Sequence, residues 1–221
     1  GTTTNTFEVE DASGNTTSCS FTVEVTGVPP SIVCPADIVV DNNSGNCDAI
    51  VTFAATETTG VPASVITYSQ DPGTAFPVGV TTVTATATNA VGTDQCTFTI
   101  TVNDTEAPAI TCPADITVSN DTGDCSAVVT YTTPVGTDNC TGATTTQTAG
   151  LPSGSAFPVG TTTNTFEVTD AAGNTTICSF DVTVNDTEDP AITCPADITT
   201  SNDPGDCSAV VTYTTPVGTD N

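Results

Sequence analysis

The chain has 221 residues, with 26 Asp plus Glu and no Lys, Arg or His, so its net charge is −26. A chain with no cationic side chain offers nothing to nucleic acid or to an anionic membrane surface, which excludes both as partners. Catalysis is not expected, because basic side chains are absent and no paired carboxylates mark an acid–base site.

The acidic charge has two interpretations: it supplies ligands for cations, or it keeps a repetitive chain soluble. No apolar run approaches the roughly 20 residues that span a bilayer, so membrane insertion is not predicted. The chain has 10 cysteines, no CxxC pair and no His. This composition favours disulfides over a zinc site and predicts an extracellular location.

One segment, Pro108–Ile116, recurs with small changes from Pro30 and from Pro190. Its cysteine recurs at intervals of about eighty residues, which indicates a tandem array. We assign four parts: the C-terminal part of a repeat at 1–27, whole repeats at 28–105 and 106–187, and the N-terminal part of a repeat at 188–221.

Residues 1–27 predict two strands joined by a turn at Asp11–Asn15. In the second strand, alternate residues are apolar, and we expect that face to be buried: Cys19, Phe21, Val23 and Val25. The same alternation recurs in Cys96–Val102 and Cys178–Val184.

Repeat 106–187 contains further short runs rich in β-branched residues, separated by Gly, Pro, Asn and Asp. No segment has a helical period, so these runs predict a small antiparallel sandwich. The runs are Ile110–Cys112, Ile116–Val118, Ala127–Thr133, Thr144–Thr148 and Thr163–Val168.

The cysteines of repeat 106–187 allow more than one pairing. We favour Cys112 with Cys178, joining the first and last strands, which leaves Cys125 with Cys140. The same scheme pairs Cys34 with Cys96 in repeat 28–105. That repeat has no cysteine at the position of Cys140. Cys47 is therefore a free thiol, open to crosslinking another chain, or the pairing scheme is wrong.

Four motifs in order resemble the hyalin repeat (HYR) domain: Ile110–Ile116, Ala156–Thr162, Val168–Asn174 and Cys178–Val182. The resemblance implies an all-β chain of tandem immunoglobulin-like sandwiches. It also implies an extracellular or cell-surface protein linked to adhesion, as in very large bacterial adhesins and in calcium-dependent extracellular layers. Repeat 28–105 departs from the pattern at Asn89, where repeat 106–187 has Asp170.

Carboxylates and amides cluster where one repeat ends and the next begins, at 103–108 and 185–190. Calcium takes about six to eight oxygen ligands, so these junctions predict calcium sites completed by loop residues; the alternative is a solvated turn. The first junction, at 25–30, has no acid and is expected to bind no ion. The candidate ligands are Asp104, Glu106, Asp138, Asn139, Asp170, Asn174, Asp186 and Glu188.

These features favour a structural stalk or fibre whose partners are its neighbouring repeats and, through open sheet edges, laterally associated copies. The alternative is a binding module. The run Thr82–Thr88 places its threonines on one strand face, which would suit a glycan or ice.

Overall fold

The computed structural model describes residues 1–220, which form strands, turns and loops. The chain divides into two compact units, Gly1–Glu106 and Ala107–Asn221. None of the described residues forms a helix long and apolar enough to cross a membrane.

The first unit opens with a hairpin of β1 (Thr2–Glu10) and β2 (Thr16–Glu24), as the alternation predicted. The prediction that its apolar face is buried was wrong. Phe7 and Phe21 stack on each other, yet they are 61% and 53% exposed. Residues 1–27 correspond to only the last two strands of a repeat, so the hairpin lacks the facing sheet that buries the same side chains in whole repeats.

Repeat 28–105 is a sandwich of eight strands. Its main sheet has the order β4-β10-β9-β7, and two strand pairs, β3-β6 and β5-β8, complete it. Strand β4 runs parallel to β10, and the other pairings are antiparallel. The strands are β3 (Val28–Val33), β4 (Ile38–Asp41), β5 (Asp48–Val51), β6 (Thr56–Val61), β7 (Val65–Tyr68), β8 (Thr74–Pro77), β9 (Gly79–Thr88) and β10 (Thr93–Asn103).

Repeat 106–187 has the same main sheet, in the order β11-β16-β15-β13, faced by the pair β12-β14. Here β11 runs parallel to β16. The strands are β11 (Ile116–Ser119), β12 (Ser126–Val129), β13 (Thr144–Ala149), β14 (Ser155–Pro158), β15 (Gly160–Thr169) and β16 (Thr175–Asn185).

Each core lies between the main sheet and the smaller pair. In repeat 28–105, Ala49 and Phe76 pack against Val83, Phe98 and Ile100. In repeat 106–187 the corresponding cluster joins Ala127 and Phe157 to Phe166, Phe180 and Val182. The alternation read from the sequence therefore marks the core face of β10 and β16. The predicted fold class, tandem immunoglobulin-like antiparallel sandwiches, is confirmed.

One predicted strand is absent. Ile110–Cys112 forms no strand, and the β-type pairing beside it is the isolated bridge Ala109–Thr137. Pro108 and Pro113 flank the segment and Pro134 lies in the chain opposite it, so three backbone donors are missing there. Among described residues 188–220 the matching bridge, Ala191–Thr219, is the only strand-type pairing.

Candidate functional site

Each whole repeat has a disulfide between the segment that enters the sandwich and its last strand. Cys34 is bonded to Cys96 and Cys112 to Cys178, with Cα atoms 5.7 Å apart in both. These are the pairings that we favoured from the sequence. Each one closes a loop that contains most of its repeat, which by the chain-entropy model stabilises the fold by about 4 kcal/mol.

The predicted Cys125–Cys140 pairing is wrong, and so is the free thiol at Cys47. Cys47 and Cys140 are both disulfide-bonded, whereas Cys125 keeps its thiol. The physical reason is position. The Cys125 carbonyl accepts a hydrogen bond from Val159 N–H at 3.0 Å, just before β15 begins. Thr144, just after Cys140, pairs with Thr169, where β15 ends.

The acidic segment after β10 is tied back into its own repeat. Thr105 N–H donates to Asn42 Oδ1 at 3.1 Å, and Gly45 N–H donates to Glu106 Oε2 at 2.6 Å. Asp104, which is 9% exposed, accepts a hydrogen bond from Glu106 N–H at 3.2 Å. The carboxylate of Glu106 therefore holds the turn that precedes Cys47.

Repeat 106–187 ends with the same three bonds. Thr187 N–H donates to Asn120 Oδ1 at 3.1 Å, Gly123 N–H to Glu188 Oε2 at 2.8 Å, and Glu188 N–H to Asp186 Oδ1 at 3.2 Å. We call these two bond sets the end clamps. Their partner residues, Asn42, Gly45, Asn120 and Gly123, were not picked out from the sequence. The repetition of Asn, Gly and Glu at fixed offsets was the available signal.

A second set of carboxylates missed by sequence reasoning lies in the repeated Cys-Pro-Ala-Asp motif. Asp37 Oδ1 accepts from Thr99 N–H at 2.7 Å, and Asp115 Oδ1 accepts from Asp181 N–H at 2.8 Å. The hydrogen bonds from Thr99, backbone first, hold the pKa of Asp37 below its usual value of 3.8. Each of these aspartates fixes the start of β4 or β11 beside the last strand.

The predicted ligands Asp170 and Asn174 form the turn between β15 and β16. Asp170 Oδ1 accepts from the backbone N–H groups of Ala172, Gly173 and Asn174 at 2.7–2.9 Å, and Asn174 Nδ2 donates to Oδ2 at 2.8 Å. Burial raises the pKa of Asp170, but the bonds from Asn174, Gly173 and Ala172 outweigh it and hold the pKa below 3.8.

The other copies of this turn support a structural role for the aspartate. Asp11 binds Ser13 N–H and the backbone and side chain of Asn15 in the β1–β2 turn. The Asn15 side chain and then the backbone donors hold its pKa below 3.8. In repeat 28–105, Asn89 Oδ1 accepts from Val91 and Gly92 N–H. The turn itself thus accounts for these residues without an ion.

The remaining predicted ligands precede Cys140. Asp138 Oδ2 accepts a hydrogen bond from Cys140 N–H at 2.9 Å, and Asn139 Nδ2 lies 3.9 Å from Cys140 Sγ. The candidates thus separate into three groups, and Asp138 and Asn139 beside Cys140 are the first. Asp170 and Asn174 serve a hairpin, while Asp104, Glu106, Asp186 and Glu188 line the segments that leave a repeat. A carboxylate has about four lone-pair positions, so a hydrogen bond from an N–H does not preclude an ion at those segments.

The HYR domain model matches residues 27–102 and 103–184. The chain belongs to the HYR domain family. It is 36% identical over 236 residues to hyalin of Strongylocentrotus purpuratus and 32% identical over 239 residues to hyalin of Lytechinus variegatus, in each case across 100% of this chain. The matches cover 19% and 44% of those two proteins, so this HYR segment spans less than half the length of either relative.

Solved structures of other multidomain proteins are also similar in part. The protocadherin gammaB7 EC3-6 structure matches with a TM-score of 0.35 and 15% identity, over 86% of this chain and 60% of that one. Sidekick-1 immunoglobulin domains 1-5 match with a TM-score of 0.35 and 16% identity, over 84% of this chain and 46% of that one.

Proposed function

We propose that this HYR array is a structural stalk segment of a large extracellular adhesin. The observation that carries the proposal is the end clamp, which recurs with the same three hydrogen bonds in both whole repeats. In a spacer built from repeats, the chain must leave every repeat with the same backbone geometry, even where the repeats have different core residues. The disulfides, the absence of Lys and Arg, and the similarity to hyalins support an extracellular location.

The internal framework suits tension along the array. In repeat 28–105, a pull on the two chain ends passes from Cys34 through its disulfide to Cys96 in β10, so the strands between these two cysteines bear little of it. The Cys34–Cys96 bond then keeps the 62-residue interval between those cysteines from extending even if the sandwich opens. Neighbouring repeats of the same chain are the primary partners, and open sheet edges allow copies to associate laterally.

We further propose that calcium stiffens the acidic junction segments, with Asp104, Glu106, Asp186 and Glu188 as ligands. Two observations support calcium binding at these residues. Carboxylates are the hard oxygen ligands that calcium prefers, and the chain has no Lys, Arg or His to neutralise its charge of −26. A bound divalent ion would screen the carboxylates against one another and restrict the backbone between the end clamp and the next repeat.

Calorimetric titration of calcium into the chain tests this part. Asp104→Asn with Asp186→Asn keeps an oxygen acceptor for each Glu N–H but removes two charges. Glu8→Gln with Glu24→Gln is the matched control, since both side chains lie exposed on the hairpin. We expect saturable binding in the parent and the control and its loss in the junction variant. If the parent chain shows no saturable calcium binding, calcium does not stiffen the junctions and this part of the proposal is wrong.

The rival function is recognition of a glycan or ice through the outward threonines of β9. These face other polar residues across the sheet, since Thr82 pairs with Thr99 and Thr84 with Thr97. Outward Thr is also ordinary strand composition. A glycan array and an ice-growth assay on the same chain separate the two functions: a spacer gives no signal in either, and specific binding in one would overturn the stalk proposal.

A further inference from the structure

We propose that repeat 28–105 fixes the junction before it through its own β9–β10 turn, by a contact that needs no ion. This contact, which we call the entry contact, joins two junction residues to two residues of the turn: Gly27 and Val28 to Asn89 and Val91. The inference goes beyond the proposed function, because it concerns the junction that has no carboxylate. It stands whether or not calcium binds at the acidic junctions.

The junction contains little free backbone. At the end of the hairpin, Val25 N–H still donates to the carbonyl opposite it at 2.9 Å. The next paired residue is Val28, which lies opposite Val61 where β3 meets β6. Thr26 and Gly27 are the two residues between these pairings. Two extended residues span at most about 7 Å, so the hairpin is held close to the repeat.

Asn89 binds the junction through its side-chain amide. Its Nδ2 donates to Val28 O at 3.0 Å and to Pro62 O at 2.9 Å. Its Oδ1 accepts from Val91 N–H at 2.9 Å and from Gly92 N–H at 3.1 Å. Because the amide has two N–H donors and an acceptor oxygen, one side chain connects the junction, the loop after β6 and the β9–β10 turn.

Packing reinforces these hydrogen bonds. A Cβ atom at Gly27 would clash with Val91 Cγ2 and would lie 2.6 Å from Val61 O. The turn also approaches Pro29, whose Cβ would lie 3.4 Å from a Cβ at Gly92. The backbone that enters the repeat therefore lies directly against the side chain of Val91, and the close approach requires glycine at position 27.

Two departures from the acidic pattern meet at the entry contact. Gly27 stands at the position where the other junctions have Asp104 and Asp186. In the turn, Asn89 stands where repeat 106–187 has Asp170. A carboxylate at either place would break the contact, because position 27 has no room for it and position 89 needs an N–H donor. The two neutral residues therefore suit each other.

The entry contact takes the place of an end clamp at this junction. The segment 25–30 has no acid, so it has no counterpart of Glu106 or Glu188, which bind back to a turn of their own repeat. The junction is held instead by amide hydrogen bonds and apolar packing, which do not depend on a divalent ion. The array thus has two kinds of junction, acidic ones with an end clamp and a neutral one with an entry contact.

NMR relaxation of the backbone amides of the whole chain tests the inference. Longitudinal and transverse relaxation give one rotational correlation time for the amides of β1 and β2 and another for those of β9 and β10. We expect the two correlation times to agree in the parent chain, both with calcium and with EDTA. A shorter correlation time for the hairpin, or one that rises relative to that of β9 and β10 when calcium is added, would overturn the inference.

Substitutions at the contact sharpen the test. Asn89→Asp keeps an acceptor for the turn but loses both Nδ2 bonds, and Gly27→Asp forces the junction away from Val91. Each variant should shorten the correlation time of the hairpin relative to that of β9 and β10. Thr26→Asn is the matched control, because it installs the residue found at positions 103 and 185 beside the contact. It should leave the two correlation times equal.

Two further measurements keep the test independent of folding. The amide chemical shifts of β9 and β10 report whether repeat 28–105 is intact in each variant. Val91→Ala removes the packing against Gly27 at a side chain that is 46% exposed, so the core is untouched, and it should also shorten the correlation time of the hairpin. Equal correlation times in all three contact variants would mean that the short link alone fixes the junction, and the entry contact would be rejected.

Discussion

Repeats 28–105 and 106–187 fill their cores with aromatic side chains from different positions. Strand β9 has Ala85 opposite Cys96, where β15 has Phe166 opposite Cys178. Phe53 and the equivalent Tyr131 both contact the phenylalanine of the last strand, Phe98 or Phe180. The first repeat adds Tyr68 against Phe53, and the second adds Phe166 against Tyr131. The two repeats thus place one of their core rings on different strands of the main sheet, Tyr68 on β7 and Phe166 on β15.

The repeats also differ in one buried polar side chain. Val83 pairs with Phe98 in β9, and at the matching position of β15 Asn164 pairs with Phe180. Asn164 is 0% exposed, and its Oδ1 accepts from Leu151 N–H at 2.9 Å and Gln147 Nε2 at 3.1 Å. A core amide therefore positions the loop after β13 in one repeat, and the other repeat does without it.

The ends of the two repeats, by contrast, are the same. Asp37 and Asp115 bind the last strand in the same way, and the two end clamps share all three hydrogen bonds. Cores can vary because each is sealed inside its own sandwich. Ends cannot, because each must join to the next repeat. This difference indicates that the array is constrained chiefly at its ends.

The largest loss of stability is expected from substitutions in the core. Phe166→Ala removes a ring that is 1% exposed, and we expect repeat 106–187 to lose about 3–5 kcal/mol of stability. The reciprocal change, Ala85→Phe, overpacks a fully buried site against which Tyr68 already packs, and should cost about 1–3 kcal/mol. Scanning calorimetry would measure both. A loss below about 1 kcal/mol for Phe166→Ala would show that the core of repeat 106–187 does not depend on this ring.

A smaller effect is expected at the β15–β16 turn, where Asp170→Asn installs the residue found at position 89. The variant keeps an acceptor for backbone donors but loses the charge. The folded-state pKa of Asp170 is lowered, so its ionised form stabilises the fold above the unfolded value of 3.8, and that contribution is lost as pH falls through the folded pKa. We therefore expect the variant to unfold at a lower temperature near pH 7 and the difference to shrink as the pH falls below 3.8.

Thermal unfolding at several pH values provides the measurement, and Asn89→Asp is the matched control in the other repeat. In the parent chain, Asn89 Nδ2 donates hydrogen bonds to the carbonyls of Val28 and Pro62, and a carboxylate has no N–H with which to replace them. Asn89→Asp should therefore destabilise repeat 28–105 at neutral pH. A difference between parent and Asp170→Asn that stays constant with pH would contradict the role assigned to the Asp170 charge.

Much of the fold could be predicted from the sequence because the signals were local and repeated. Alternating residues in β10 and β16 marked the core face, and Asp11–Asn15 marked a hairpin turn. The disulfide between Cys112 and Cys178 followed from joining the first segment of the repeat, which the sequence predicted as a strand, to the last strand. The strand β14, by contrast, is only four residues long with a proline at its end, so no periodicity revealed it.

The cysteines and the candidate ligands were harder, because their partners depend on which end of the sandwich each residue occupies. Sequence order puts Cys125 and Cys140 close together, although a main-sheet strand separates them in space. Similarly, Asp170 and Asp186 are both acids near a strand end, but one is satisfied by its own turn and the other lies at a junction. Spacing along the chain does not distinguish these environments.

The smallest effect is expected from the end clamp, where a single hydrogen bond to a half-buried carboxylate contributes about 1 kcal/mol. Glu188→Ala removes the acceptor of Gly123 N–H, and Glu106→Ala does the same for Gly45. Since the clamp is common to both repeats, the two variants should lose similar stability. Hydrogen exchange should accelerate selectively at Gly123 in one and at Gly45 in the other.

A matched control for the clamp is Glu167→Ala, which removes one carboxylate from β15 without touching the turn at Gly123. Glutamine variants sharpen the result, because the Gln side-chain oxygen still accepts from an N–H and should restore part of the protection. Loss of hydrogen-exchange protection in the Glu188 variant alone would mean that only repeat 106–187 depends on its end clamp. The two clamps would then share their hydrogen bonds but not their contribution to stability.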